Sequence, residues 1–415
     1  MAQGGIFQAA RPIAATPDVV DRLRGVPRLA RFALRMLTRI QWGSLTVRLP
    51  NQVALKFDGR EPGVHGEVHV LDYAGVRKLL SGGGIGFAEA YVAGYVDSPD
   101  MARFLEVFAR NRTMMADALR GHALGQWMHR LFHLMHSNTR RGARRNIHAH
   151  YDLGNTFYGL WLDPTMTYSS ALFDGGVNDL AAAQRQKYRA LAEAMALRPE
   201  HHVLEIGCGW GGFAEFAARE IGCRVTGITI SREQLAFARA RMAEQGLDDR
   251  VEIRFQDYRD VDERYDRVAS IEMFEAVGEA YWPAYFDKVR EVLKPGGRAG
   301  LQIITIADDS YEEYRRSTDF IQRYIFPGGM LPSPSVLRAQ IARAGLVWQG
   351  SREFGLDYAR TLRSWQERFL AAWPSIEPLG FDTRFKRLWL YYLAYCEAGF
   401  RSANTDVTQV TLAPA

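Results

Sequence analysis

The stretch VLEIGCGWGGFAEFAA, residues 203–218, decides how this chain folds. An apolar run closes at Glu205 and gives way to four glycines in six positions, Gly207, Gly209, Gly211 and Gly212, before helix-forming residues resume. A strand that leaves through a bare turn into a helix offers backbone amides with no Cβ in the way, at the carboxyl edge where α/β sheets bind ligands. A nucleotide-like ligand is expected there. The next strand candidate ends in GITIS and not in an acid placed to grip a ribose, which weighs against a dinucleotide.

Working outward, the segments HHVLEIG, CRVTGITI, VEIRFQ, YDRVASIEMF and RAGLQIITI read as five apolar strands, most of them separated by helix or turn signals of crossover length. The expected architecture is an α/β fold with a doubly wound, Rossmann-like sheet and helical insertions. LVWQGSREF is expected as a sixth strand and VTQVTL as a late edge strand, with FPGGMLPSP interrupting a helical region. Residues 42 to 72 alternate in short strands such as LTVRLP and EVHVLDY, and helices follow to about residue 136, which suggests a smaller N-terminal α+β domain. We place the boundary at 135/136, giving a smaller N-terminal domain (1–135) and a larger domain (136–415) that holds the glycine-rich turn.

At 415 residues, 47% apolar and 24% charged, the chain can bury two cores. Cys208, Cys223 and Cys396 are too few and too scattered for a disulfide framework and suit a reducing compartment. No uncharged apolar run reaches the roughly 20 residues of a membrane span, and the N-terminus lacks the pattern of a secretory signal, so a cytoplasmic location is expected. The net charge of +5 conceals an asymmetry: residues 1 to 145 hold 21 Lys and Arg against 11 Asp and Glu, the remainder 31 against 36. In PRLARFALRMLTRI, Arg28, Arg31, Arg35 and Arg39 recur at helical spacing beside Leu29, Phe32, Met36 and Ile40, with Pro27 suited to the first turn. Such a basic amphipathic helix fits an anionic membrane surface, or it faces a core of its own domain. Basic residues are not interleaved with aromatics in a nucleic-acid module, so no nucleic-acid partner is expected.

Six motifs in one order, AHYDLGNTFYGLWLDPTMTYSSALF, VLEIGCGWGG, GITISREQ, QDYRD, SIEMFEAVG and RYIFPGGMLPS, resemble the cyclopropane-fatty-acyl-phospholipid synthase family of S-adenosylmethionine-dependent methyltransferases, over roughly residues 80 to 412. The resemblance implies a class I methyltransferase sheet and S-adenosylmethionine as cofactor. It also implies unsaturated phospholipid acyl chains as substrate and peripheral association with a membrane, and it leaves a homodimer open. By this resemblance Gly207, Gly209 and Trp210 line the methionine and ribose portions. Tyr168 and Ser169 close over the amino-acid end, Thr229 and Gln234 meet the ribose region, and Asp257 with Tyr258 flanks the adenine.

Methyl transfer to an isolated cis double bond leaves a cation on the neighbouring carbon, and ring closure requires a proton to leave. Aromatic faces suit the cation and a carboxylate or bound anion suits the proton. In the family a bicarbonate ion is the base, and Glu275 and Tyr358 match a glutamate and tyrosine that surround it. Three positions depart from the best-known members: Ser170 stands where cysteine is common, Gln302 where histidine is common, and Glu272 where glycine is found. A carboxylate at Glu272 would repel and displace bicarbonate, so Glu272 is expected to replace the ion as base or to alter which proton is lost. The alternative is a solvent-facing Glu272 or one paired with Arg267. The product expected is a cyclopropane or a methyl- or methylene-branched chain. A rival reading is a small-molecule N-methyltransferase with a related core. His129, His133 and His136 share a helical spacing but lack a further local ligand, so no metal is expected.

Overall fold

In a computed structural model of the chain, residues 11–112 and 153–415 are described. They divide into two compact units, one holding residues 11 to 112 with Gly380–Ser402, the other residues 153 to Leu379 with Ala403–Ala415. The expected boundary at 135/136, the histidines of residues 129 to 136 and the basic cluster at 140 to 145 lie outside the described residues. Residues 380–402, assigned from sequence to the catalytic domain, instead join the N-terminal unit. The reason is aromatic packing. On the helix Thr383–Arg401, Tyr391 meets Tyr91 at 5.7 Å and Phe87 at 6.2 Å, and Arg387 Nε donates to the Tyr91 carbonyl at 2.6 Å.

The N-terminal unit carries a mixed five-stranded sheet of β1 (Ile13–Ala14), β2 (Trp42–Arg48), β3 (Ala54–Asp58), β4 (Glu61–Val70) and β5 (Val96–Asp97), in the order β1-β3-β2-β4-β5. The amphipathic helix forms at Arg28–Leu37 with Pro27 as its N-cap. It buries Ala30 and Leu34 and leaves Leu29 and Phe32 about half exposed. The run Ala74–Val92 is broken at Gly83, whose φ of 56° and ψ of −137° lie outside the helical region. A Cβ on Gly86 would meet the Lys78 carbonyl oxygen at 2.0 Å, and Lys78 Nζ bonds Glu89 Oε2 at 3.2 Å, so the two halves lie side by side as a hairpin.

The second unit is a seven-stranded sheet of β6 (His202–Ile206), β7 (Arg224–Thr229), β8 (Val251–Phe255), β9 (Tyr265–Ile271), β10 (Leu293–Ile306), β11 (Leu346–Glu353) and β12 (Thr405–Pro414). Their order is β11-β12-β10-β9-β6-β7-β8. β6 to β10 pair in parallel, and β12 runs antiparallel to both β10 and β11. This is the class I methyltransferase arrangement that the sequence motifs imply. Helices cover both faces, Leu180–Ala194 and Arg232–Glu244 over one apolar core, Trp282–Glu291 and Pro334–Arg343 over the other. Parallel strands buried on both faces read as continuous apolar runs, which is why β6 to β10 were legible. The expected edge strand VTQVTL is corrected: β12 lies inside the sheet, with Val407, Val410 and Leu412 fully buried, and β11 takes the edge. Its alternating threonines and glutamine resemble an edge only because those side chains are satisfied within the protein.

The chain runs outward through β6, β7 and β8, then returns to place β9 on the other side of β6. That reversal opens a crevice at the carboxyl ends of β6 and β9. Gly207 follows the first strand and Glu272 the second.

Candidate active site

The turn after β6 holds three glycines with positive φ, Gly207 (77°), Gly209 (54°) and Gly211 (83°). They differ in surroundings. A Cβ on Gly207 would strike Met273 Cγ at 2.6 Å, whereas the corresponding position on Gly209 faces open space. Gly207 therefore serves close packing against the end of β9, and Gly209 leaves a bare cradle. Trp210 is buried, its Nε1 donating to Asn155 Oδ1 at 2.7 Å and its ring 5.1 Å from that of Tyr158. Tyr158 also touches Tyr168, at 5.4 Å, so the Tyr168–Ser169 segment lies against the same wall. Further round, Thr229 Oγ1 donates to Gln234 Oε1 at 3.0 Å, joining the end of β7 to the helix that follows it. Asp257 after β8 accepts two bonds from the Arg259 guanidinium, at 2.9 and 2.7 Å, and Tyr258 packs edge-on against Tyr285 at 5.5 Å. Every expected cofactor residue thus sits at the carboxyl edge of the sheet or on the 168–169 segment beside it.

The second constellation centres on Glu272. Its Oε1 accepts from the Ser170 amide at 2.9 Å and from Gln302 Nε2 at 2.7 Å, and its Oε2 accepts from the Tyr358 hydroxyl at 2.6 Å. Three elements distant in sequence thus converge on one carboxylate, which takes the set of donors a small bound anion would require. Arg267, its alternative partner, bonds instead to the Met195 and Ala196 carbonyls. Glu272 also has a φ of 49°, a left-handed conformation that costs a residue with a Cβ about 1–2 kcal/mol and costs glycine little. Its backbone amide is fixed by the Gln302 carbonyl at 2.9 Å. The positive φ and the three donors to its side chain hold Glu272 in one conformation.

The other expected catalytic residues are placed as follows. Ser170 reaches Glu272 only through its amide, because its hydroxyl donates to the Ala171 carbonyl. Gln302 is oriented by Gln409, whose Nε2 donates to Gln302 Oε1 at 3.1 Å, so that the Gln302 amino group faces Glu272. Glu275 is on the turn after Glu272, with Oε1 accepting from the Ile304 amide at 2.6 Å and Oε2 buried without a partner. Burial pushes its carboxyl up to about 8, helped by the charge of Glu272. Burial also raises Glu272, against the donors Tyr358, Ser170 and Gln302 and the charge of Lys187, which favour its ionised form.

Sequence reading missed Lys187, Gln409, Tyr158 and Trp365. Trp365 is fully buried on the helix Gly355–Ile376, with its ring 5.2 Å from Tyr168 and 6.3 Å from Tyr358, between the cofactor segment and the carboxylate cluster. Nothing local singles these residues out, since each sits in an ordinary amphipathic helix or apolar strand. Among the described residues no group of three His, Cys, Asp or Glu side chains is placed to hold a metal.

Residues 138–410 match the family model described as mycolic acid cyclopropane synthetase. The chain is 41% identical, over 81% of its length and 80% of the relative's, to tuberculostearic acid methyltransferase UfaA1 of Mycobacterium tuberculosis. It is 36% identical, over 89% of its length and 92% of the relative's, to cyclopropane-fatty-acyl-phospholipid synthase of Escherichia coli. Among solved structures it resembles mycolic acid cyclopropane synthase CmaA1 complexed with SAH and CTAB, with a TM-score of 0.61 and 29% identity over 65% of this chain and 97% of that one.

Proposed function

The chain belongs to the mycolic acid cyclopropane synthetase family, and from that premise we propose a reaction in which its own carboxylate, Glu272, takes the place of a bound bicarbonate. The protein is an S-adenosylmethionine-dependent methyltransferase that transfers a one-carbon unit to the double bond of an unsaturated fatty acyl chain. The acyl chain is carried by a membrane phospholipid, and the product is a cyclopropane or a methyl- or methylene-branched chain.

The residues present fit the donor. The bare φ-positive turn at Gly209 leaves room for a ligand at the edge of β6, and a Cβ there would fill it. In this reading Gly207, Gly209 and Trp210 hold the methionine and ribose portions, with the buried indole of Trp210 serving as a wall. Tyr168 and Ser169 cover the amino-acid end, Thr229 and Gln234 meet the ribose, and Asp257 and Tyr258 flank the adenine. When bound, the donor supplies an electrophilic methyl group. Tyr168, Trp365 and Tyr358 then present aromatic surface to the positive charge that develops on the acyl chain.

Glu272 accepts the proton. Its Oε1 already receives two donors and its Oε2 one, so Oε2 keeps a lone pair for the departing hydrogen. The C–H bond breaks and its electron pair neutralises the carbocation. Loss from the new methyl group closes a three-membered ring, and loss elsewhere leaves an alkene. Glu275, held by the Ile304 amide, is pushed toward its neutral form by burial and by the charge of Glu272.

The observation that carries this reading is the convergence of Tyr358, Gln302 and the Ser170 amide on a strained Glu272. Its test is the bicarbonate dependence of turnover, read as labelled methyl incorporated into lipid. The parent is expected to be indifferent to bicarbonate and Glu272→Gly to require it. Equal dependence in both would overturn the assignment.

A lipid substrate must be met at its surface. The helix Arg28–Leu37 supports a peripheral site on an anionic membrane, since Leu29 and Phe32 are about half exposed beside the exposed Arg28, Arg35 and Arg39. Among the described residues no helix is long and apolar enough to cross a bilayer.

A further inference from the structure

Lys187, on the helix Leu180–Ala194, is fully buried, which is costly for an ammonium unless other groups compensate it. Its Nζ donates to Ser169 Oγ at 2.7 Å and lies 4.5 Å from the centre of the Tyr188 ring. No carboxylate among the described residues reaches ion-pair distance of it. Two bonded bridges nevertheless run from Lys187 to Glu272, one from its ammonium and one from its main-chain carbonyl. Along one, Lys187 holds the Ser169 hydroxyl and Gln184 the Ser169 carbonyl, and the next amide, that of Ser170, donates to Glu272 Oε1. Along the other, Gln409 Nε2 bonds both the Lys187 carbonyl and Gln302 Oε1, and Gln302 Nε2 donates to the same Glu272 oxygen.

We propose that Lys187 is a positioning residue for the reaction: from its buried seat behind Ser169 it supplies the positive charge that keeps the Glu272 carboxylate ionised and able to accept the proton. This rests on Glu272 being the base. Burial raises Glu272 and lowers Lys187, so each group is moved toward its neutral form and each charge supports the other. Burial pushes the Lys187 ammonium down to about 7, while the carboxylates of Glu272, Asp163 and Glu205 hold it up. Facing Glu272 are the Tyr358 hydroxyl, Lys187, the Ser170 amide and Gln302, all favouring its charge, and the carboxyl of Glu275, which burial and the charge of Glu272 push toward its neutral form. The Tyr188 hydroxyl is engaged with Thr167 at 2.6 Å.

The test is turnover against pH in the parent, Lys187→Met and Lys187→Arg, with S-adenosylmethionine affinity measured by calorimetry in each. The parent should show an acid limb from Glu272 and an alkaline limb from Lys187. Loss of the positive charge in Lys187→Met raises the proton affinity of Glu272, so its acid limb should move up by about one pH unit. At a given pH on that limb turnover then falls roughly tenfold and recovers as the pH is raised, because each unit below a carboxyl pKa cuts the ionised fraction about tenfold. Lys187→Arg should keep the acid limb in place and lose the alkaline one, since a guanidinium does not titrate in this range. An acid limb in Lys187→Met that superimposes on the parent's would overturn the proposal. If that variant does not fold, an unchanged alkaline limb in Lys187→Arg overturns it equally. Bicarbonate rescue of Glu272→Gly reports on the base assignment alone, so rescue together with an unmoved limb identifies Lys187 as the part that fails.

Discussion

At the scale of the residue, Glu272 concentrates two opposing demands. Its backbone occupies a region suited to glycine, with φ 49°, while its side chain gathers three donors from three elements. The strain can be isolated by comparing Glu272→Ala with Glu272→Gly, both of which lose the carboxylate. The glycine variant is expected to be the more stable by about 1 kcal/mol in urea denaturation, because only alanine keeps the left-handed penalty. Equal stabilities would mean that the backbone relaxes away from positive φ once the carboxylate is gone. The residue was singled out from sequence because it departs from the glycine of similar proteins, but the positive φ that explains this glycine appears only in three dimensions. Glu275 was singled out by its match to a family position, and its carboxylate accepts from the Ile304 amide.

At the scale of the element, the turn after β6 divides its glycines by task. Gly207, Gly209 and Gly212 also satisfy the spacing of a dinucleotide fingerprint, so glycine spacing alone does not define the ligand. The end of β7 does more, because Thr229 and Gln234 stand where an acid would grip a ribose. Gly209→Ala places a methyl group in open space at φ 54°. It should cost only about 1 kcal/mol of stability while weakening S-adenosylmethionine binding at least tenfold by calorimetry. Unchanged affinity would remove the turn from the cofactor site. β12 marks where element reading failed. Its polar alternation suggested an edge, but Gln409 points inward to tie β12 to Gln302 and to the Lys187 carbonyl. A side chain that satisfies buried partners looks, in one dimension, the same as one that faces water.

At the scale of the molecule, the two units differ in what they bury and what they expose. The catalytic unit seals carboxyl groups and an ammonium into a mixed polar cluster under apolar cores. The N-terminal unit exposes Leu29 and Phe32 among arginines. Replacing both apolar residues, Leu29→Asp with Phe32→Asp, should reduce pelleting with anionic vesicles several-fold while leaving calorimetric affinity for S-adenosylmethionine intact. Undiminished pelleting would place membrane contact elsewhere.

The sequence by itself determined the sheet and the glycine turn, because parallel strands and close backbone approach leave local patterns, apolar runs of fixed length and glycines at fixed offsets; the class of reaction came from the resemblance of six ordered motifs to a known family. Tertiary structure alone decided that residues 380–402 join the N-terminal unit, that β12 is interior, that Lys187 bonds Ser169 and Gln409 bonds Gln302, and that Trp365 lies beside Tyr168 and Tyr358. Those outcomes depend on which side chains satisfy one another across long separations in the chain, and buried hydrogen bonds and charges leave no periodic trace along it.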